Sequence, residues 1–568
     1  MPIRKLTFGT PEKIAPSRFC KNFAFTPGDV VFPADCIDAR PVAGGFRLEF
    51  PLAADEHVYG FGLQLKEFDH KGHKVTLRVN ADPVKATGDS HAPVPFFVTT
   101  RNRGFYLDTA RAAEFYCGYP KLHQKAASGG MAGATEDLYA ARKQTVETMM
   151  SIRIPGAAGV DLYVIEGENL TDVVAQYNRM SGGGCDVPAW GLEPLFRCYY
   201  KYGETEILEI ARYFREKNID CGIIGLEPGW QTQTYPCSFV PSRERYPHFE
   251  AMIETLRSMH YHVNLWEHCY THTSSPIYEA LYPYAGTYPV WGGLAPDFTQ
   301  EEASKIFAEH HRDTLVRLGV DGFKLDECDG SDYTGGWSFP NTAEFPCGAD
   351  GEQMHALLGT LYAQTILRAL DGEPTLSSIR SMGALAAPYP FVLYSDLYDH
   401  TDFIHGVVNQ GFSGLLWSPE VREVGSKKEL IRRLQTVVFS VQCLINAWAY
   451  EDCYPWKRFD CEDEVRALMH LRTTLIPMLK EAFCRYHETG VPPIRALVMD
   501  YTDDPETYAV DDEYLFCGSL LVAPLTADSD TRRVYLPKGT WRNYYTKEPV
   551  EPGWHTVTTE QIPVYEKV

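Results

Sequence analysis

Up to residue 185, apolar and polar positions alternate in short runs broken by Gly, Pro, Asn and Asp. The runs GGFRLEFPL (44–52), KVTLRVNAD (74–82), VPFFVTTRNRGFYLDTA (94–110) and VDLYVIEG (160–167) read as strands bounded by turn residues. Their number and spacing predict an N-terminal β-sandwich over residues 1–185. The segment SGGGCDVPAW (181–190) reads as a linker at its end.

From Gly191 the pattern changes. Helical periodicity in ETEILEIARYFREKNI (204–219) gives way to the apolar run CGIIGLEPGW (221–230). HFEAMIETLRSMHY then precedes HVNLWEHCY, and TQEEASKIFAEHHRDTLVRLG precedes VDGFKLDECDG. GEQMHALLGTLYAQTILRAL, TLSSIRS, PFVLYSDLYD, DFIHGVVNQG, FSGLLWSPE and SKKELIRRLQTVVFSV continue the alternation. Helices alternating with short apolar strands predict parallel β/α units over residues 186–485. The size fits a (β/α)8 TIM barrel, with a doubly wound open sheet as the alternative. Residues 486–568 return to strands, among them DEYLFCGSLLVAP, TRRVYLPKGTWRNYY and IPVYEKV, and predict a small C-terminal β-sandwich that is short or cut short. The fold class expected is therefore α/β with β-sandwiches at both ends.

Composition agrees with that division, because 568 residues are too many for one ordinary domain. A formal net charge of −22 disfavours nucleic acid and anionic membranes as partners. The opening MPIRKLTFGT lacks the apolar run of a signal peptide, and no long apolar stretch suggests a membrane span. Fifteen cysteines, an odd number with no C-x-x-C pair, read as reduced thiols of a cytoplasmic protein. A homo-oligomer stays open.

Candidate chemistry sits where the apolar runs end. Glu227 and Trp230, Trp266 with Glu267 and His268, Lys324 with Asp326 and Asp329, Arg380, Asp396, Glu420, and Asn446 with Trp448 all occupy such places. In a parallel barrel the strand C-termini gather at one face, so these side chains would converge. Converging carboxylates suit either an oxygen-ligand metal site or glycoside cleavage. Tryptophans favour the second, and DECDGSD lacks the spacing of a calcium loop. No metal and no cofactor are expected; the expected partner is an oligosaccharide or glycoside substrate.

The ordered motifs make the chain resemble glycoside hydrolase family 31, retaining α-glycosidases with this domain order. HVYGFGLQ resembles the family's Tyr-Gly-x-Gly motif, and HAPVPFFVTTRNRGFYLDT its Pro-Phe stretch and hairpin. FVPSRERYPHF, VWGGLAPDFT, LRTTLIPML, CGSLLVAP and VYLPKGTW resemble segments that follow in the family's order. The resemblance implies that Asp326 in FKLDECD is the nucleophile. It implies that Asp396 in LYSD is the acid/base, with Ser395 in place of the usual Gly and with Asp399 and Asp402 as rivals. Arg380 in SIRSMG would contact sugar hydroxyls and the nucleophile, Glu227 would bind substrate, and Trp291 would form an aromatic wall. Asp89 would reach in from the N-terminal domain, and Asn446 stands where the family often has His. Glu420 in WSPEVRE replaces the family's Asp-Ile-Gly-Gly-Phe. Trp230, Trp266 and Trp448 complete the expected substrate-binding set.

A retaining mechanism asks for carboxyl groups about 5–5.5 Å apart, one ionised and one protonated. Lys324 or Arg380 beside Asp326 would favour its ionised form. Lys324 also bears on substrate. It stands where family α-glucosidases usually carry an aromatic residue, and Lys-x-Asp resembles the nucleophile strand of α-galactosidases in related barrels. An ammonium has three donors and could read an axial 4-hydroxyl. The expectation is an exo-acting enzyme for terminal α-galactosides or N-acetylgalactosaminides. The alternatives are an α-glucosidase and a non-catalytic carbohydrate-binding homologue, or Lys324 paired only with Glu327 or Asp329.

Overall fold

The computed structural model describes residues 3–81, 83–122, 146–332, 336–396, 399–451 and 454–568. Eight short strands form one all-parallel sheet: β1 (Leu195–Arg197), β2 (Ile223–Leu226), β3 (His262–Glu267), β4 (Gly322–Leu325), β5 (Ser377–Ile379), β6 (Phe391–Leu393), β7 (Glu420–Val421) and β8 (Leu444–Asn446). Neighbours pair in chain order from β1 to β6, and β8 joins β7 to β1. A parallel bridge between Leu393 and Trp417 closes the ring, with Leu393 N donating to Leu416 O at 2.8 Å. The barrel reading thus holds and the open sheet does not. Every strand except β5 is followed by a helix. After β5 the chain runs through Gly383, Pro388 and Pro390, residues that disfavour one.

The N-terminal part is a sandwich of two five-stranded antiparallel sheets. PVPFFVT (Pro93–Thr99) is buried along its whole length because both of its faces are covered. Phe97 stacks on Phe105 and belongs to the core between the sheets. Phe96, pointing the other way, stacks on Tyr177 of the helix Leu170–Met180 at 3.9 Å. That helix fastens the sandwich to the barrel, since Tyr177 Oη accepts from Leu385 N at 3.0 Å. The YGFGLQ segment docks beside it: Gly62 N donates to Ser413 Oγ at 3.0 Å and Asn409 Nδ2 to Gln64 O at 2.9 Å.

The long helix Glu462–Thr489 leaves the barrel for a six-stranded sheet and a two-stranded ribbon at the C-terminus. Arg472 on this helix is fully buried and donates to four main-chain carbonyls, those of Leu192, Val438, Ser440 and Val441. Burial pulls its guanidinium down to about 10. Arg472→Met would strand all four acceptors, a loss of about 3 kcal/mol or more. A thermal melt several degrees below wild type is the expected result, and an unchanged melt would contradict it. Among the described residues no helix is long and apolar enough to cross a membrane.

Candidate active site

Side chains alternate across a strand, so residues two apart share a face. In this barrel the inward positions at the C-terminal ends are Arg197 on β1, Gly225 and Glu227 at β2, and Asn264 and Trp266 on β3. They continue with Lys324 and Asp326 at β4, Arg380 after β5, Tyr394 and Asp396 after β6, Glu420 and Arg422 at β7, and Asn446 at β8. Gly225 is needed here, because a Cβ would lie 2.8 Å from Arg197 Cγ as that side chain crosses toward Glu227.

Asp326 is held by two donors: Trp266 Nε1 at 2.6 Å on Oδ2 and its neighbour Glu327 N at 3.0 Å on Oδ1. Arg380 joins the two candidate catalytic carboxylates. Its Nε lies 3.9 Å from Asp326 Oδ1 and 2.8 Å from Asp329 Oδ2, while Nη1 lies 2.8 Å from Asp396 Oδ2. Arg422 Nη1 donates to the other oxygen of Asp396. Burial pushes the Asp396 carboxyl up, but Arg380, Arg422 and Lys324 outweigh it and hold the group well below the usual carboxylate range. Of the two, Asp396 is the more open, with 47% of its side chain exposed against 14% for Asp326.

Lys324 is paired with Glu227, whose oxygens lie 3.3 and 3.4 Å from Nζ, and not with Glu327 or Asp329. Glu227 also accepts from Arg197 Nη1 at 3.2 Å. The ammonium sits 4.9 Å from the centre of the Tyr394 ring. Burial pushes the Tyr394 hydroxyl well up, and the Asp326 carboxylate adds to the effect. Glu420 Oε2 accepts from Asn446 Nδ2 at 3.0 Å, and Oε1 lies 3.2 Å from Arg422 Nη1. Burial raises the Glu420 carboxyl, against Arg422 and Lys324 and with Asp396.

Aromatic rings wall the Asp326 side. Tyr235 packs against Trp266, His268 and Trp291, and Trp337 lies parallel to Trp291. On the far side, Trp448 faces the Arg422 guanidinium at 5.1 Å and packs on Tyr200. Glu327, at a left-handed φ of 58°, accepts from the Tyr235 hydroxyl at 3.1 Å. Burial, Asp326 and Asp329 push its carboxyl well above the ordinary range, against Arg380 and Tyr235.

Several expected residues take other places. Trp230 is fully enclosed, stacks on Phe249 and donates to Trp266 O at 2.6 Å, so it supports the β3 end and offers a sugar no face. Glu267, out of phase with Trp266, points between two helices, where it accepts from Tyr362 Oη at 2.6 Å and meets His311 Nε2 at 3.0 Å. Asp89 pairs with Arg78 and Asn80 of its own domain. Asp399 caps the helix His400–Asn409 by accepting from Thr401 N and Asp402 N, and Asp402 pairs with Lys66. Sequence reading passed over Arg197, Tyr394, Arg422, Tyr235 and Glu327. Tyr394 and Arg422 lie in phase with Asp396 and Glu420, which it did select, whereas Arg197 stands on a strand from which it chose none.

Fold and site together define a (β/α)8-barrel protein with carboxylates and guanidinia gathered at the strand C-terminal face. The chain belongs to glycoside hydrolase family 31: residues 186–482 match the Glycosyl hydrolases family 31 TIM-barrel domain, and residues 490–568 the family's C-terminal domain. Among curated relatives, Alpha-glucosidase 2 of Bacillus thermoamyloliquefaciens is 25% identical over 90% of this chain and 66% of its own. An alpha-xylosidase of Emericella nidulans is 22% identical over 87% of this chain and 62% of its own. The chain thus spans just under two thirds of the length of these relatives. Among solved structures, an alpha-xylosidase from a soil metagenome superposes with TM-score 0.76 at 19% identity, covering 96% of this chain and 82% of that one. A Flavobacterium johnsoniae dextranase superposes with TM-score 0.78 at 20% identity, covering 93% and 67%.

Proposed function

We propose that the protein is a retaining exo-α-glycosidase that cleaves a terminal α-linked sugar through a covalent glycosyl-Asp326 intermediate. The observation that carries this reading is the placement of Asp326 and Asp396, from different strand ends, on one guanidinium. In the first step the Asp326 carboxylate forms a bond to the anomeric carbon while the glycosidic C–O bond breaks, and Asp396, acting through the minor protonated form that Arg380, Arg422 and Lys324 disfavour, gives its proton to the leaving oxygen. In the second step Asp396 takes a proton from water, the water oxygen bonds to the anomeric carbon, and Asp326 leaves. Two inversions return the α-configuration. Proton NMR of the first product formed is expected to show the α-anomer; the β-anomer would refute retention.

We propose an α-galactoside or a close relative as substrate. Lys324 supports this reading, since an ammonium at the barrel floor, 5% exposed and oriented by Glu227, offers donors to sugar hydroxyls. The names of the relatives favour a second reading, an α-glucoside or α-xyloside on the same machinery. A panel of nitrophenyl α-glycosides separates them: turnover confined to glucoside or xyloside would refute the galacto reading. Lys324→Met is expected to lower kcat/KM on the preferred glycoside by about 10–100-fold, the value of a hydrogen bond from a charged donor. An unchanged kcat/KM would remove Lys324 from substrate binding.

A further inference from the structure

Asp396 is gripped from two sides. Arg380 reaches Oδ2 from the β5 end and Arg422 reaches Oδ1 from the β7 end. Each guanidinium is shared with a second acid: Arg380 with Asp329, and Arg422 with Glu420. Arg422 has little freedom. It is 6% exposed, its guanidinium faces the Trp448 ring, and its carbonyl accepts from Tyr450 Oη at 2.7 Å. Glu420 is equally enclosed, at 2% exposed, with its second oxygen on Asn446. With one oxygen on Asn446 and the other 3.2 Å from Arg422, Glu420 is a fixed charge beside Asp396.

We propose that Arg422 and Glu420 are positioning residues that set the proton affinity of Asp396, with Arg422 holding the carboxylate and Glu420 drawing part of that guanidinium away. This rests on the reading of Asp396 as the acid/base. The groups facing Asp396 are Arg380 from β5, Lys324 and Asp326 from β4, Tyr394 on its own strand, Arg422 and Glu420 from β7, and His91 from the N-terminal sandwich. The β7 pair touches Asp396 directly through Arg422 and can be altered without substituting the nucleophile, its Arg380 partner or the Lys324–Glu227 pair.

The sign follows from charge. The acid must be protonated for the first step, so the basic limb of the kcat/KM profile marks loss of its proton in the free enzyme. Arg422 favours the carboxylate, and its removal delays that loss to higher pH. With Glu420 neutralised, Arg422 acts on Asp396 alone, and the proton is lost at lower pH.

The test compares pH profiles of kcat/KM for wild type, Arg422→Gln, Arg422→Lys, Glu420→Gln and Asp396→Ala on the preferred nitrophenyl glycoside, with thermal melts to verify folding. The basic limb is expected to move up by about one pH unit or more in Arg422→Gln. It is expected to return toward wild type in Arg422→Lys and to move down in Glu420→Gln. A limb lost in Asp396→Ala but unmoved, or moved the same way, in Arg422→Gln and Glu420→Gln overturns this proposal alone. A basic limb that persists in Asp396→Ala overturns the acid/base reading beneath it. Should Arg422→Gln fail to fold, Glu420→Gln carries the test by its own direction.

Discussion

Asp326→Asn is expected to abolish turnover, by on the order of 10⁴–10⁶-fold, the range found when an enzyme loses its nucleophile. The amide cannot form the covalent bond to the anomeric carbon, yet it has the shape of the acid. Its carbonyl can still accept from Trp266 Nε1, and Arg380 keeps Asp329 and Asp396 as partners. The melting temperature should therefore stay close to wild type. Rates on an activated aryl glycoside, read beside the melt, check both halves. Near-normal turnover in a folded variant would remove Asp326 from the mechanism.

Asp396→Ala has the second largest expected effect, and its size should depend on the substrate. General acid catalysis contributes about 10²–10⁴-fold where the leaving group needs a proton. A dinitrophenyl glycoside needs none, so its first step should be nearly unaffected, with the intermediate accumulating. Azide should then restore turnover and yield the α-glycosyl azide, because it attacks the intermediate where water would. The rivals give the contrast. Asp399 is engaged as a helix cap and Asp402 with Lys66, so Asp399→Asn and Asp402→Asn should show no dependence on the leaving group. The account of Asp396 fails if its Ala variant slows all leaving groups equally and ignores azide, or if either rival shows the dependence instead.

How much of this was legible before folding turns on phase. The strand ends were readable because an apolar run buried on both faces must stop where charge begins, as at FKLDECD. Which charges face the barrel axis was readable only through the period of two. Lys324 and Asp326 are in phase with each other, as are Tyr394 with Asp396 and Glu420 with Arg422. Glu267 is out of phase with Trp266 and turns outward to Tyr362 and His311. Counting in twos from Asp396 and Glu420 would have found Tyr394 and Arg422. Trp230 escapes that rule, since it follows Pro228 in a single 3-10 turn where strand alternation has ended. Tyr235 and Glu327 lay beyond reach: each sits in a loop, and only the closed barrel brings them together.

The central claim is that Asp326 forms the covalent intermediate. Incubation with activated 2-fluoro or 5-fluoro glycosyl fluorides of galacto, gluco and xylo configuration, followed by mass mapping of the labelled peptide, tests it most directly. The account predicts one sugar attached at Asp326, released on dilution into a glycosyl acceptor. A label on Glu327, Asp329 or Asp396, or inactivation with no sugar attached, would contradict it.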